Sequence, residues 1–292
     1  MSGLKVIRRR IQSVKNTKQI TRAMKLVSAA KLRRAQEGAE NGRAFGRRLQ
    51  ELLQEVISDL PEGVNHPLLA KRAEVKRRRV VVIAGERGLC GAYNTNVVKA
   101  AEALRKSSSV ELDFVAVGRR VKSAALRFGW PVVMDFEGLP EDAGQWPSSE
   151  IGEALMSDFA SGKCDEVVLI YTTFKSAMSQ EVTQEVLLPF TSAQSDSSSN
   201  PTAQKVSGKI EYDPAPGIIL ESLIPLLVKT KVCQAGLESR ASEHAARMTA
   251  MDSATRNADD LIERLRLFYN RARQSTITRE LIDIVGGAEA IK

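Results

Sequence analysis

The chain has 292 residues and a mass of 32.0 kDa, with 43 Lys+Arg against 35 Asp+Glu and a formal net charge of +8. Its length is enough for about two domains, and 43% hydrophobic residues is typical of a folded chain, not of a disordered polyelectrolyte. No run of about 18 apolar residues occurs, and residues 1–30 lack the apolar centre of a secretory signal, so we expect neither a membrane-spanning nor a secreted protein.

Cysteine and histidine are too few and too scattered for several common kinds of site. The three cysteines are Cys90, Cys164 and Cys233, about 70 residues apart, and the two histidines are His66 and His244. This pattern predicts no disulfide framework, no metal site and no histidine triad, and it suits a reducing compartment.

The positive charge is concentrated at the start of the chain. Residues 1–48 contain 14 Lys/Arg and two Asp/Glu, a net of +12, so the remainder carries −4. Such a block indicates a solvated face, an arm that binds a polyanion, or a surface that meets an acidic protein. No aromatic residue precedes Phe45, which disfavours base stacking on single-stranded nucleic acid. Organelle transit peptides are also basic, but here the block continues into a helical pattern without a Ser-rich cleavage zone.

Residues 3–60 are predicted to form one long helix that ends at the Pro-Glu-Gly sequence of residues 61–63. Apolar or small residues recur at helical spacing. The set is Ile7, Ile11, Val14, Thr21, Met24, Val27, Phe45, Leu49, Leu52, Leu53, Val56, Ile57 and Leu60. The internal helix breakers are Gly38, Gly42 and Gly46.

The middle of the chain alternates between strand and helix patterns. Short β-rich apolar runs are predicted as strands at residues 80–84, 112–117, 131–136 and 167–174. Helical patterns lie between them at residues 96–106, 119–128 and 151–160. The alternation predicts an α/β layer with a substantially parallel sheet. The Ser-rich segment 191–209 is predicted to be a flexible loop.

A second long helix is predicted from residue 216 to residue 285. Pro225 is expected to break or kink its start, and Gly286 with Gly287 to end it. A stripe with coiled-coil spacing runs along it: Met248, Met251, Thr255, Ala258, Ile262, Leu265, Phe268 and Ala272.

Neither long helix can bury its stripe against so small a middle domain. We therefore expect the two to pack against each other as an antiparallel coiled coil with an apolar seam. The predicted division is an N-terminal helix over 1–60, a central α/β domain over 61–209 and a C-terminal helix over 210–292.

The best candidate for a catalytic or ligand site is the glycine-rich turn at residues 85–94. Its spacing is G-x-x-G-x-x-G, which matches neither the dinucleotide fingerprint nor the P-loop, so a structural turn explains it better than a phosphate site. Cys90 is near a predicted helix start but has no histidine nearby. We predict no catalytic residue, no cofactor-binding residue and no metal ligand.

Four stretches of the chain resemble the gamma subunit of F-type ATP synthases. They are IRRRIQSVKNTKQITRAM at residues 7–24, RGLCG at 87–91, SEHAARM at 242–248, and the C-terminal series NRARQ at 270–274 with ITRELIDIVGGA at 277–288. Together they span the whole chain in order.

The resemblance implies a long antiparallel coiled coil of the N- and C-terminal helices plus a central Rossmann-like α/β domain without a nucleotide. It implies a central rotor shaft, not catalytic on its own, which couples proton-driven c-ring rotation to conformational cycling of the catalytic beta subunits. The implied partners are the alpha, beta, epsilon and c-ring subunits, with no nucleic acid. The family motif begins a few residues after Met1, and no long cysteine-containing insertion interrupts the middle domain. We therefore expect a peripheral protein at the cytoplasmic face of the bacterial cell membrane, attached through the complex only.

The resemblance also implies two contact sites. The contacts with the catch loop of the beta subunit map to Met24, Arg247, Arg273, Gln274, Thr278 and Glu280. The foot that meets epsilon and the c-ring maps to Tyr212 and Asp213.

Two other classes of function are compatible with single features of the sequence. The basic N-terminal arm would suit a nucleic-acid-binding coiled-coil protein. The glycine-rich turn would suit a nucleotide-dependent oxidoreductase.

Overall fold

The computed structural model of the chain describes residues 2–58, 66–70, 72, 74–190 and 216–289. Two long helices enclose, in chain order, five strands and three shorter helices. Their bounds are α1 Ser2–Ser58, β1 Arg77–Ile83, α2 Tyr93–Ser107, β2 Glu111–Val117, α3 Arg119–Phe128, β3 Val132–Phe136, α4 Ser148–Ala160, β4 Glu166–Phe174, β5 Gln180–Leu188 and α5 Pro216–Glu289.

The chain divides into two compact units. The terminal unit combines Met1–Ala29 with Arg247–Lys292, and the central unit is Ala30–Ala246. Both α1 and α5 contribute residues to each unit, and the units are described separately below.

The central unit is built on one five-stranded sheet with the order β3-β2-β1-β4-β5. β1 pairs in parallel with β2 and β4, β2 pairs in parallel with β3, and β5 is antiparallel to β4. The order of the four parallel strands is that of a doubly wound fold, so the predicted Rossmann-like α/β domain is confirmed. Strand β5 was not predicted, because its QEVTQEVLL sequence is largely polar, as suits a half-buried edge strand.

Both faces of the sheet are buried, as parallel sheets require. Alternate residues of β1 point to opposite sides, so Val81 and Ile83 join a core with α1, α4 and α5, while Val80 and Val82 join a core with α2 and α3. This double burial explains the unbroken Val/Ile run from which the strand was predicted.

Within the central unit, α1 approaches α5 closely at its glycines. A Cβ atom at Gly38 would lie 3.3 Å from Cδ2 of Leu237, and one at Gly42 would lie 3.0 Å from Cδ1 of the same leucine. These glycines are contact positions and not helix breakers, since α1 is continuous through them. Phe45 and Leu52, which were predicted on the buried stripe, are instead exposed.

The terminal unit is an antiparallel pair of helices. Lys18 of α1 pairs with Asp259 of α5, and Lys25 pairs with Asp252, so the numbers rise on one helix as they fall on the other. The buried residues of the predicted stripes are Thr21, Met251, Ala258 and Ile262. The antiparallel coiled coil is confirmed in this unit.

Two stripe positions of the terminal unit depart from the prediction. The side chains of Val27 and Phe268 are 54% and 60% exposed. They lie off the face that the paired helices bury, because a straight helix drifts away from a strict seven-residue repeat.

Helix α5 is longer and less interrupted than the sequence predicted. It passes through Pro225 without ending, and it includes Gly286 and Gly287 before it ends at Glu289. Proline inside a helix costs about 3 kcal/mol, but burial of Leu220 and Ile224 offsets such a cost at about 1.5–3 kcal/mol for each large apolar side chain. Glycine costs only about 1 kcal/mol, so neither glycine has to stop a helix that is already formed. The predicted turn at 61–63 and loop at 191–209 lie outside the described residues.

Candidate functional site

The glycine-rich turn after β1 is closed by a side chain from the first turn of α2. The Gly85 N–H donates to Oδ1 of Asn94 at 2.9 Å, and Nδ2 of Asn94 donates to the Arg87 carbonyl at 3.1 Å. Leu89 and Gly91 adopt positive φ values of 61° and 57°. The turn is thus a self-contained connection between strand and helix, which is the structural explanation favoured by its sequence.

In doubly wound sheets a ligand lies outside the carboxyl ends of the strands, where the strand order reverses. Here that place is the end of β1 beside β4. A Cβ atom at Gly85 would lie 3.0 Å from both Cδ and Oε1 of Glu243, which belongs to α5. Ser242 of α5 donates to the Thr172 carbonyl of β4 at 3.1 Å. The crevice is therefore filled by helix α5.

The groups that line the filled crevice are buried and paired. Burial raises the pKa of Tyr93, and the nearby carboxylate of Glu243 raises it further. Arg240 donates to Oε2 of Glu243 at 2.8 Å and to the Pro140 carbonyl at 2.7 Å. Its guanidinium also stands 5.2 Å from the ring centroid of Trp146. This arrangement holds α5 against the sheet and the loop that precedes α4.

The six residues predicted to contact the beta subunit all belong to the terminal unit. Met24 of α1 and Arg247 of α5 are half-buried. The other four are exposed on α5: Arg273, Gln274, Thr278 and Glu280.

Gln274 and Thr278 share a face of α5, since they are four residues apart and the Thr278 hydroxyl donates to the Gln274 carbonyl at 3.0 Å. Accessible polar side chains of this kind suit a contact surface. Their assignment to the beta subunit remains a prediction. The predicted foot residues, Tyr212 and Asp213, lie outside the described residues.

The end of α5 carries an apolar surface that the sequence reasoning missed. Its members have exposed fractions between 52% and 72%. They are Leu267, Phe268, Ile277, Leu281, Ile282, Ile284 and Val285. So many exposed apolar side chains on one helix indicate an interaction surface. The signal was present in the sequence, because residues 277–285 contain more apolar positions than a single coiled-coil stripe uses.

Within the described ranges, no three His, Cys, Asp or Glu side chains are grouped so that they could hold a metal ion. None of the helices in the described part of the chain is long and apolar enough to cross a membrane.

Comparison with known proteins places the chain in a family. A family model described as ATP synthase matches residues 3–291. The chain is 41% identical over 292 residues to the ATP synthase gamma chain of Heliobacterium modesticaldum, with 100% of both chains covered. It is 42% identical over 296 residues to the gamma chain of Bdellovibrio bacteriovorus, again with 100% of both covered.

Solved structures share the fold. The central stalk/c-ring structure of the Tetrahymena thermophila mitochondrial ATP synthase matches with a TM-score of 0.59 and 25% identity, over 80% of this chain and 99% of that chain. The rotor of the Euglena gracilis mitochondrial ATP synthase matches with a TM-score of 0.64 and 20% identity, over 94% and 99%.

The full-length family match and these relatives place the chain, whose Rossmann-like domain has its crevice filled by α5, among the subunits of ATP synthases. The chain belongs to the ATP synthase gamma chain family. The resemblance found in the sequence is confirmed.

Proposed function

We propose that this chain is the central rotor shaft of an F-type ATP synthase, coupling proton-driven rotation of the c-ring to the conformational cycle of the catalytic beta subunits. The observation that carries the proposal is the antiparallel helix pair of the terminal unit with its exposed apolar and polar surface on α5. Family membership over the full length supports it.

The shaft acts by changing which conformations its partners populate. A protein surface shifts a conformational equilibrium only through contacts that differ between the states. A shaft that presents different side chains on its different sides supplies such contacts to each beta subunit in turn as it rotates. Catalysis belongs to the ring of alpha and beta subunits, and this chain is not catalytic on its own.

The proposed partners are the alpha, beta, epsilon and c-ring subunits. The full-length similarity to gamma chains of bacteria supports a location at the cytoplasmic face of the bacterial cell membrane, where the complex would hold this chain as a peripheral protein. In this assignment residues 1–60 and 210–292 are the two shaft helices, and 61–209 is the central α/β domain.

The proposed contacts with the beta-subunit catch loop are Met24, Arg247, Arg273, Gln274, Thr278 and Glu280. Exposure of the last four supports this assignment. Neither alternative function is favoured by a particular observation. The crevice that an oxidoreductase would use is filled by α5, and a nucleic-acid-binding protein is not supported by the family.

The test combines Gln274→Ala with Thr278→Ala in a complex reconstituted with the alpha, beta and membrane subunits. We expect the ATP hydrolysis rate of the assembled complex to fall about tenfold, the effect of losing about 1.4 kcal/mol of contact free energy at a rate-determining step. The matched control is Gln36→Ala, which removes an amide that donates to Oε1 of Glu40 on the same helix at 2.8 Å.

Two results would contradict the proposal at different levels. Failure of the unaltered chain to assemble with alpha and beta subunits would remove the rotor function itself. Normal hydrolysis and proton pumping by the assembled double variant would remove only the assignment of the contact residues.

A further inference from the structure

Strand β4 extends beyond its partner β1 on one edge. The parallel pairing of β4 with β1 ends at Ile170 opposite Val82, whereas the antiparallel pairing with β5 continues to Phe174 opposite Gln180. Alternate residues of this stretch, Thr172 and Phe174, therefore direct their backbone groups toward the long helices instead of toward a strand. Buried backbone groups have to be hydrogen-bonded, so other partners are required there.

Side chains from both long helices supply these partners. The Phe174 N–H donates to Oε2 of Glu238 on α5 at 2.9 Å. The Phe174 carbonyl accepts from Nη2 of Arg43 on α1 at 3.2 Å. The Thr172 carbonyl accepts from the Ser242 hydroxyl at 3.1 Å. The two helices thus replace the missing neighbouring strand.

The two charged residues are also bound to each other. Nε and Nη2 of Arg43 donate to Oε1 of Glu238 at 3.0 and 2.5 Å. The Glu238 side chain is 2% exposed, whereas that of Arg43 is 39% exposed. We call Arg43, Glu238 and the Phe174 backbone the strand clamp. It joins α1, α5 and the end of β4 within the central unit.

A buried ion pair is weak evidence for stability, because apolar residues of similar size often stabilise a fold as well. It differs from apolar packing in being directional. Hydrophobic attraction is non-directional, whereas charge-assisted hydrogen bonds weaken steeply as their angles change, so the pair adds an angular constraint to that of side-chain packing. The strand clamp therefore opposes rotation of α1 and α5 about their own axes relative to the sheet.

We infer that Arg43 and Glu238 are positioning residues of the rotor, which fix both long helices to the end of β4 so that torque passes between the α/β domain and the helices. The inference rests on the proposed rotor function, and it concerns a role in coupling rather than in contact with the catalytic subunits.

The test uses the complete complex in sealed vesicles and compares proton pumping with ATP hydrolysis. The variants are Arg43→Ala, Arg43→Lys and Glu238→Gln. For Arg43→Ala we expect the number of protons pumped per ATP hydrolysed to fall several-fold. ATP hydrolysis by the alpha and beta subunits with this chain, measured after release from the membrane, should be retained. Glu238→Gln keeps an acceptor for the Phe174 N–H but loses the charge pair, so its loss should be smaller. Arg43→Lys should restore part of the pumping.

Two controls separate coupling from folding. Lys229→Ala removes another ion pair between α5 and the domain, in which Nζ of Lys229 lies 2.7 Å from Oε1 of Glu153. This pair is more exposed than Glu238 and has no part in the strand clamp. Ile224→Val weakens the core beneath α5 by about 0.5–1.5 kcal/mol without touching the strand clamp. Both should pump as the unaltered complex does.

The outcomes are distinct. Unchanged pumping per ATP in assembled Arg43→Ala and Glu238→Gln complexes overturns the inference, and an equal loss in Ile224→Val overturns it too, because general instability would then be the cause. If the Glu238→Gln complex does not assemble, the result for Arg43→Ala alone tests the inference. Arg43 is partly exposed, so its replacement is expected to leave folding intact. Failure of the unaltered complex to pump is instead evidence against the proposed function.

Discussion

Gly236 of α5 lies against the indole of Trp146, and no side chain fits between them. A Cβ atom at this position would be 2.8 Å from Cε3 of the ring. The ring itself is fixed, because its Nε1 donates to the Pro140 carbonyl at 3.0 Å. An aromatic ring held in this way cannot move aside as the end of a flexible side chain can.

Gly236→Ala is therefore expected to destabilise the chain by about 1–3 kcal/mol through overpacking, despite the better helix propensity of alanine. Gly217→Ala is the matched control in the same helix, since a Cβ there meets nothing within 4 Å. That change should be neutral or stabilise by up to about 1 kcal/mol. Urea denaturation midpoints measure both, and equal midpoints for the two variants would contradict the packing explanation.

Cys164 is fully buried two residues before β4, and burial raises the pKa of its thiol to about 11. At pH 8 the thiolate, which is the reactive form, is then about one part in a thousand. We expect alkylation of Cys164 by iodoacetamide to be negligible in the folded chain and complete after unfolding, while the half-buried Cys233 reacts faster. Peptide mass spectrometry after timed labelling measures this, and rapid native labelling of Cys164 would contradict it.

The residues of the strand clamp were not foreseen from the sequence. Arg43 and Glu238 are 195 positions apart, and each resembles any charged residue on a long helix. Glu243 and Gly85 meet in the same way, only because α5 fills the crevice. Local patterns identify which residues are helical or buried, but not which distant polar pairs meet across a fold.

At the scale of elements, the terminal helix pair contains a polar layer where an apolar seam was expected. The Thr255 hydroxyl donates to that of Thr21 at 2.8 Å, and Thr21 is buried. The pairs Lys18–Asp259 and Lys25–Asp252 lie on either side, seven residues apart on each helix, with distances of 2.5 Å. Polar groups at such positions specify the register of a coiled coil.

Reversal of one charge should therefore disturb the register. Lys25→Asp places two carboxylates together, and we expect a small but measurable loss of stability, since like charges at this distance repel and exposed ion pairs contribute little. The further change Asp252→Lys should restore most of it. The readout is a double-mutant cycle by thermal unfolding, with disulfide trapping of Thr21→Cys/Thr255→Cys to report the register. Additive losses in the double variant would show that the pair is not coupled.

The same pair should respond to acid. The hydrogen bond from Lys25 lowers the pKa of Asp252 below its usual 3.8. A lowered folded-state pKa means that the coupling is present above about pH 4 and is lost as the pH falls through the folded-state value. The Lys25–Asp252 coupling should thus be constant from about pH 8 to pH 5 and should weaken as the pH falls below about 4. Coupling that persists in strong acid would contradict this.

Element prediction succeeded where burial imposes a repeating pattern and failed where it does not. The strands with continuous Val/Ile sequences and the two long helices were found, because both faces of a parallel sheet and one face of each helix exclude water. Strand β5 was missed because an edge strand keeps its polar residues. At Pro225, where a break or a kink was predicted, the helix does not break, because packing of the surrounding helix outweighs local propensity.

At the scale of the whole molecule, the charge is unevenly distributed along the chain. The first 48 residues carry a net +12, and Arg8, Arg9 and Arg10 are exposed on α1. Exposed charges steer association at long range and are screened over about 10 Å at 0.1 M salt.

We therefore expect the rate of assembly with alpha and beta subunits to fall steeply between about 0.05 and 0.5 M salt, with little change in the dissociation rate, because the screening length shortens from about 14 Å to about 4 Å over this range. Replacement of Arg8, Arg9 and Arg10 by Gln should lower the rate at low salt and flatten its salt dependence. Stopped-flow mixing measures both. Tight duplex DNA binding at physiological salt would instead favour the nucleic-acid hypothesis.

The filled crevice beside β1 has a pharmacological consequence. Any small molecule that entered it would have to displace Glu243 and Ser242 of α5, so its binding free energy would be linked to release of the helix from the sheet. Such a compound would act as an uncoupler: the complex would continue to hydrolyse ATP but would pump fewer protons for each ATP. Because it need not resemble a nucleotide, such a compound would not inhibit enzymes through their nucleotide sites.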